Sequence, residues 1–171
     1  MKLKLFAFFV TFQLFLIFIF FINITQKVLY PIMFENEISD VSRKYCVSKE
    51  LIYSIINAES SFNVNAKSEK GALGLMQILP TTAEYIAKKI SYQNEIDLFN
   101  ASCNIELGTA YLSYLQNIFQ NLDFVICAYN AGEGNVKRWI SDGRIDIRFE
   151  ETRNYLKRVK LNLNFYSKKI A

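Results

Sequence analysis

The chain has 171 residues, 51% of them hydrophobic and 15% aromatic, with a formal charge of +4 at pH 7 and no histidine. The missing histidine excludes histidine-based triads and ordinary histidine-containing zinc sites, so the chemistry falls to carboxylates, hydroxyls and amides. Cys46, Cys103 and Cys127 are odd in number and lack C-x-x-C spacing, which speaks for buried thiols over a disulfide framework, with one bridge still open outside the cytoplasm.

Residues 5–24, "LFAFFVTFQLFLIFIFFINI", carry no charge and follow "MKLK". Twenty residues at helical rise reach about 30 Å, the thickness of a bilayer's hydrocarbon core. The basic start favours a cytoplasmic N-terminus. A cleaved signal peptide is the rival, but no A-x-A pattern precedes Lys27. The expectation is a cytoplasmic start plus transmembrane signal anchor over residues 1–28, a linker over 29–36 and one domain over 37–166, outside the cytoplasm. Lys2, Lys4 and Lys27 supply most of the net charge. Residues 35–136 hold 7 Lys/Arg against 12 Asp/Glu, and 137–171 hold 10 against 4. The basic end reads as a solvated helix face or as a surface for anionic lipid or wall polymer; no nucleic-acid partner is expected.

Beyond the anchor the pattern is helical. Ile38, Val41 and Tyr45 share one helix face. Ser48 is placed to cap a helix over 49–59, and Pro80 suits the first turn of one running to about Lys89. Asn100 is placed to cap a long helix with Ile105, Leu112, Leu115 and Phe119 on its apolar side. That capping position makes the glycosylation pattern Asn100-Ala-Ser102 accidental. Further helices are expected from Asp123 to about Asn130, over Val136–Ile140 and over 150–166, with "AGEG" breaking the chain between the first two. Few runs alternate with period two. The fold class is therefore all-α, a compact domain of short helices joined by polar loops.

The apolar helical stretch "ELIYSIINA" runs into a carboxylate, Glu59. Glu59 lies seven residues, about two turns, beyond Ile52 and so shares the apolar face with Ile52, Ile55 and Ile56. Desolvation there raises a carboxyl pKa, and the negative end of the helix dipole acts in the same sense. A glutamic acid still protonated near neutrality is suited to general acid catalysis. On periodicity alone Glu59 also reads as a helix-terminal carboxylate turned to solvent or paired with lysine. The loop that follows carries Ser60, Ser61, Asn63, Asn65, Ser68, Gly71, Gly74 and Gln77. Its hydroxyls and amides suit sugar hydroxyl and acetamido groups, and its glycines let backbone approach a ligand.

"ES" at 59–60, "GALGLMQILPTTA" at 71–83, "NIELGTAYL" at 104–112, "AYNAGEGNV" at 128–136 and "ETRNYLKRV" at 151–159 stand in an order and spacing that resemble the soluble lytic transglycosylase catalytic domain, a helical member of the lysozyme superfamily. The resemblance covers about residues 40–160. It implies Glu59 as the single catalytic acid/base. It implies substrate-binding roles for Ser60, Ser68, Gln77, Tyr129, Asn130, Glu151 and Tyr155, with the Tyr155 hydroxyl close to the acid. By pattern alone, Tyr129 and Tyr155 read as core aromatics and Asn130 as a helix-terminal residue. Met76, Asn104, Gly71, Gly74, Gly108 and Trp139 read as structural. Two departures from the family pattern, "ASC" at 101–103 and Leu79 before Pro80, leave the acid untouched.

The implied reaction cleaves the bond between N-acetylmuramic acid and N-acetylglucosamine in peptidoglycan without water, leaving 1,6-anhydromuramic acid ends, and requires no metal or cofactor. Glu69, Glu84, Asp123 and Glu133 match no second catalytic position. Two alternatives remain at this point: a hydrolytic muramidase on the same scaffold, and a non-catalytic peptidoglycan-binding or assembly module. The expected partners are glycan strands and, through the N-terminal helix, the membrane; protein partners are left open.

Overall fold

A computed structural model describes residues 2–141 and 144–170, with the backbone alone for 2–10, 23, 141 and 144. Met1, which opens the predicted cytoplasmic start, lies outside the described residues. The chain divides into two units, Met1–Ile32 and Met33–Ala171. The first is a single helix, α1 (Lys2–Leu29). Its stretch Thr11–Leu29, with mean hydropathy 1.8, is long and apolar enough to cross a membrane.

The second unit is helical: α2 (Glu35–Tyr45), α3 (Lys49–Ser60), α4 (Pro80–Lys89), α5 (Ala101–Ile118), α6 (Leu122–Ala131), α7 (Glu133–Trp139) and α8 (Glu150–Lys169). The caps follow the residue chemistry. Ser48 accepts from the Leu51 amide and Asn100 from the Cys103 amide, each meeting a donor the first helical turn leaves unpaired. Pro80 begins α4, where its missing N–H costs nothing.

Helix α3 forms the centre of this unit. All six residues from Leu51 to Ile56 are buried, because α8 covers one side and α2 another. The Tyr53 and Tyr166 rings stack at 5.2 Å, Asn57 Nδ2 donates to Tyr166 Oη at 2.9 Å and Asn162 Nδ2 donates to the Ser54 carbonyl at 3.2 Å. These polar contacts satisfy groups that would otherwise be stranded in the core, and they set the register of α8 on α3. Helix α5 packs against α2, α4 and α6.

Three details differ from the sequence reading. Phe119 remains buried but sits just past the end of α5, in extended conformation. Ile140–Ser141 pairs antiparallel with Arg144–Ile145, a two-residue ladder too short to show alternation. Cys103 and Cys127 are buried free thiols, but Cys46 is exposed, because it ends α2 in the left-handed region. Trp139 is in the core, edge-on to Phe149 at 4.8 Å.

Candidate active site

Glu59 lies in the last turn of α3, which ends because Ser61 and Phe62 adopt positive φ. The chain then folds into the compact loop 61–79. Gly71 and Gly74 take φ of 83° and 73°, conformations that glycine adopts without strain. A Cβ on Gly74 would collide with the Leu98 carbonyl and the Asn104 amide. Asn104, wholly buried on α5, is the loop's anchor. Its Oδ1 accepts from the Met76 amide at 2.8 Å, and its Nδ2 donates to the carbonyls of Leu73 and Leu98, both at 2.9 Å. Met76 is buried over Gly108, where any side chain would meet its sulfur. Asn104, Met76 and these two glycines are structural, in agreement with the sequence reading.

This loop, α6 and the start of α8 wall a cavity of about 550 Å³, lined among others by Glu59, Ser68, Gln77, Tyr129, Asn130 and Glu151. Five residues from three segments, the loop, α6 and α8, thus join Glu59 at one cavity. Ser68 Oγ accepts from the Ala72 amide at 2.9 Å and holds the loop's tip. Gln77, at φ 48°, donates from Nε2 to the carbonyls of Ala66 and Gly74. Its nitrogen is therefore committed to backbone, and Oε1 is the end left for a ligand. Tyr129 donates to the Met76 carbonyl at 2.9 Å and leans on the Tyr111 ring at 5.3 Å. Glu151 is paired at 3.0 Å with Lys70, both side chains well exposed at the rim.

Ser60 and Tyr155 are placed differently. The Ser60 hydroxyl donates to the Leu75 carbonyl at 2.8 Å and is not among the residues lining the cavity. It clasps the loop to α3 just behind Glu59. Tyr155 is 2% exposed and lies beneath the acid. Its hydroxyl has no hydrogen bond of full geometry, yet it is close enough to the Glu59 carboxyl to alter its ionisation.

Burial pushes the Glu59 carboxyl up to about 7. The Tyr155 hydroxyl and the charge of Arg158 pull it down, and Glu151 adds a smaller upward push. The cause is the one the helix face implies: a carboxylate taken out of water loses solvation that its neighbours return only in part. Tyr129 and Tyr155 are raised well above the ordinary phenol value, by burial first and then by the charge of Glu59. The three groups therefore form one electrostatic cluster. Among the described residues, no three Cys, Asp or Glu side chains converge in a way that would hold a metal ion.

Sequence reasoning missed three contributors. Thr152 on α8 donates to Asn130 Oδ1 at 2.7 Å. Arg158 lies 5.6 Å from the Tyr155 ring centroid. Tyr111 backs Tyr129. Thr152 and Arg158 fall three residues either side of Tyr155, a helical spacing that places them on neighbouring parts of one face.

The Transglycosylase SLT domain family matches residues 37–148, a stretch that ends before Glu151 and Tyr155. The chain is 41% identical over 138 residues to the soluble lytic murein transglycosylase of Escherichia coli K12, which covers 71% of this chain and 21% of that protein. It is 39% identical over 120 residues to the membrane-bound lytic murein transglycosylase C of Shigella sonnei, covering 63% of this chain and 33% of that protein. Among solved structures, an inactive mutant of the lytic transglycosylase Slt of Pseudomonas aeruginosa superposes with a TM-score of 0.79 at 30% identity, covering 85% of this chain and 25% of that one. The chain thus spans about a fifth to a third of the length of these relatives.

Proposed function

This chain belongs to the Transglycosylase SLT domain family, and from that we propose that it is a peptidoglycan lytic transglycosylase with Glu59 as its single catalytic acid and base. Protonated near neutrality, Glu59 donates its proton to the glycosidic oxygen between N-acetylmuramic acid and N-acetylglucosamine, and the C–O bond breaks. The acetamido oxygen of the muramic residue shares the positive charge at the anomeric carbon as an oxazolinium. Glu59, now a carboxylate, takes the proton of the same sugar's C6 hydroxyl. That oxygen attacks the anomeric carbon, closes the 1,6-anhydro ring and returns the acetamido group to neutrality. The proton removed equals the proton given, and no water is consumed.

The observation that carries this reading is the inequality of the carboxylates at the cavity. Glycosidases that rely on enzyme groups alone use two carboxyl groups flanking the bond. Here Glu59 is shielded, whereas the other lining carboxylates, Glu69 and Glu151, are exposed, and Glu151 is tied to Lys70. A substrate that supplies its own second group fits a site with one shielded acid. Gln77 and Asn130 offer an acceptor and a donor to the acetamido and hydroxyl groups, Ser68 lies within the same wall and Tyr129 gives the sugar an aromatic edge. Ser60 and Tyr155 serve by holding the loop and the acid.

The N-terminal helix acts in this reading as a single-pass signal anchor, with the linker at 29–36 and the catalytic domain at 37–166 on the extracytoplasmic side, close to the membrane face of the wall. The length and apolarity of Thr11–Leu29 and the membrane-bound relative support membrane association.

The test is mass spectrometry of soluble products from purified peptidoglycan incubated with the full chain in detergent micelles. Muropeptides one water lighter than hydrolytic products are expected. Glu59→Gln should lower their release by on the order of 10²–10⁴-fold. Reducing muramic ends would instead identify a hydrolytic muramidase, and no release by the wild-type chain would identify a glycan-holding module.

A further inference from the structure

The two sides of α8 differ in kind. Thr152, Tyr155, Val159, Asn162 and Tyr166 turn to the core. Lys157, Leu161 and Lys168 follow one another at intervals of four and seven residues, which puts them on one stripe, and all three are exposed. Leu161 is 67% exposed, more than any other large hydrophobic residue described between Met33 and Ile170. Phe165, one turn further on and half-buried, widens the apolar spot, with Lys169 Nζ 5.7 Å from its ring centroid. An apolar centre is thus framed by cations on both sides along the helix axis.

No carboxylate on this part of the helix offsets them. Residues 157–169 hold Lys157, Arg158, Lys160, Lys168 and Lys169 and no Asp or Glu. Lys160 is paired at 2.9 Å with Asp123 of α6, and Arg158 lies over the Tyr155 ring at 5.6 Å. Among the described residues, Lys157 and Lys168 enter no ion pair. Glu150, the acidic residue on the same stripe, lies two turns before Lys157, about 10 Å along the axis.

A single exposed leucine is ordinary, and a leucine between uncompensated lysines on a chain tethered to a bilayer is more specific. A polyanionic wall polymer would engage the lysines and leave Leu161 in water. An anionic bilayer surface meets both, because its phosphates draw the ammonium groups and its headgroup layer accepts the apolar side chain. The covalent chain favours the same occupant. Helix α1 ends at Leu29 and α2 begins at Glu35, and the residues between them reach at most about 20 Å. A tether that short raises the effective concentration of lipid at the domain, so a contact too weak to recruit a free protein suffices.

We propose that the outer face of α8 is a docking surface for anionic phospholipid headgroups, with Lys157 and Lys168 meeting phosphates and Leu161 entering the headgroup layer. It rests on the reading of α1 as a membrane anchor. The consequence is orientation: Glu151 at the cavity rim lies on the same helix, about 9 Å along the axis from Lys157, so docking holds the cavity close to the bilayer and directs it to strands there.

The test uses the full chain in vesicles of phosphatidylcholine alone or of equimolar phosphatidylcholine and phosphatidylglycerol. An environment-sensitive fluorophore is attached through Asn164→Cys on the outer face, in a chain carrying Cys46→Ser; Cys103 and Cys127 are buried. A second label, through Glu84→Cys on α4, is the control. The label at position 164 is expected to shift to the blue and to be quenched by spin-labelled lipid in the anionic vesicles only, and to return to its aqueous signal in high salt. Lys157→Gln with Lys168→Gln should lower the docked-to-free ratio by about tenfold, and Leu161→Gln should lower it as well. Both lie on the exposed face, and an unchanged thermal midpoint separates their effect from misfolding. An aqueous signal at position 164 in both vesicles, or equal shifts at positions 164 and 84, overturns the docking surface. A response to soluble inorganic polyphosphate without one to anionic vesicles also overturns it and assigns the face to a wall polymer. Flotation with phosphatidylcholine vesicles tests the anchor separately: a chain that does not float with them overturns the anchor reading and with it the tethered docking, whatever the label reports.

Discussion

Thr152 Oγ1 donates a 2.7 Å hydrogen bond to Asn130 Oδ1, and this contact decides which end of the Asn130 amide faces the cavity. With its oxygen occupied by a buried threonine on α8, Asn130 is left to present its NH₂ group to a ligand. A donor at that position suits an acetamido carbonyl or a sugar hydroxyl. Thr152→Val keeps the shape and removes the constraint. We expect kcat/KM to fall by about tenfold, the effect of one lost hydrogen bond, with recovery in Thr152→Ser. Release of anhydromuropeptides measures both, and unchanged turnover in Thr152→Val would remove Thr152 from the site.

The raised ionisation of Glu59 fixes the direction of two pH effects. In the proposed mechanism activity depends on the protonated acid, so kcat/KM should decline as pH rises through about 7, by about tenfold per unit on the falling limb. Stability moves the same way. Between the ordinary carboxyl value of 4.5 and about 7 the folded chain holds a proton the unfolded chain has released, so stability falls as pH rises across that window. Glu59→Gln should therefore raise Tm at pH 8 and change it little at pH 4. The gain is at most about 3 kcal/mol, because the side chain is partly exposed to solvent. Equal Tm shifts at the two pH values would contradict this.

Removing the Tyr155 hydroxyl should move the same limb. Tyr155 holds the Glu59 carboxyl down from where burial alone would put it. In Tyr155→Phe the falling limb of the pH–rate profile should therefore shift to higher pH. The Tyr155 oxygen is buried without a full hydrogen bond, so its deletion should cost little stability. An unshifted profile with normal Tm would show that the hydroxyl does not act on Glu59.

Asn104 supports the site without touching it. Asn104→Ala would strand the Met76 amide and the Leu98 carbonyl, each at about 1–3 kcal/mol if left unmet, while the Leu73 carbonyl keeps the Ile78 amide. A large drop in Tm is expected, with loss of turnover as Gln77 and Tyr129 lose their shared backbone support at Met76. Urea unfolding followed by circular dichroism would measure it. By contrast, Lys70→Ala should change stability by less than about 1 kcal/mol, since its pair with Glu151 is solvent-exposed.

Much of the helical framework was legible locally. Ser48, Pro80 and Asn100 mark helix starts because capping chemistry acts within three residues, and the placement of Glu59 on an apolar face needs only the helical period. The family resemblance added the order of the segments and the roles expected of Glu59, Gln77, Asn130 and Tyr155. Tertiary structure decided what those side chains meet. No local pattern tells that Ser60 turns to the Leu75 carbonyl, that Thr152 orients Asn130, or that Tyr155 lies under the acid and outside the cavity wall. Burial raises the Glu59 carboxyl only because α8 and the loop 61–79 close over the end of α3. That desolvation comes from segments far apart in the chain, so the sequence could state its direction while the packing set its size.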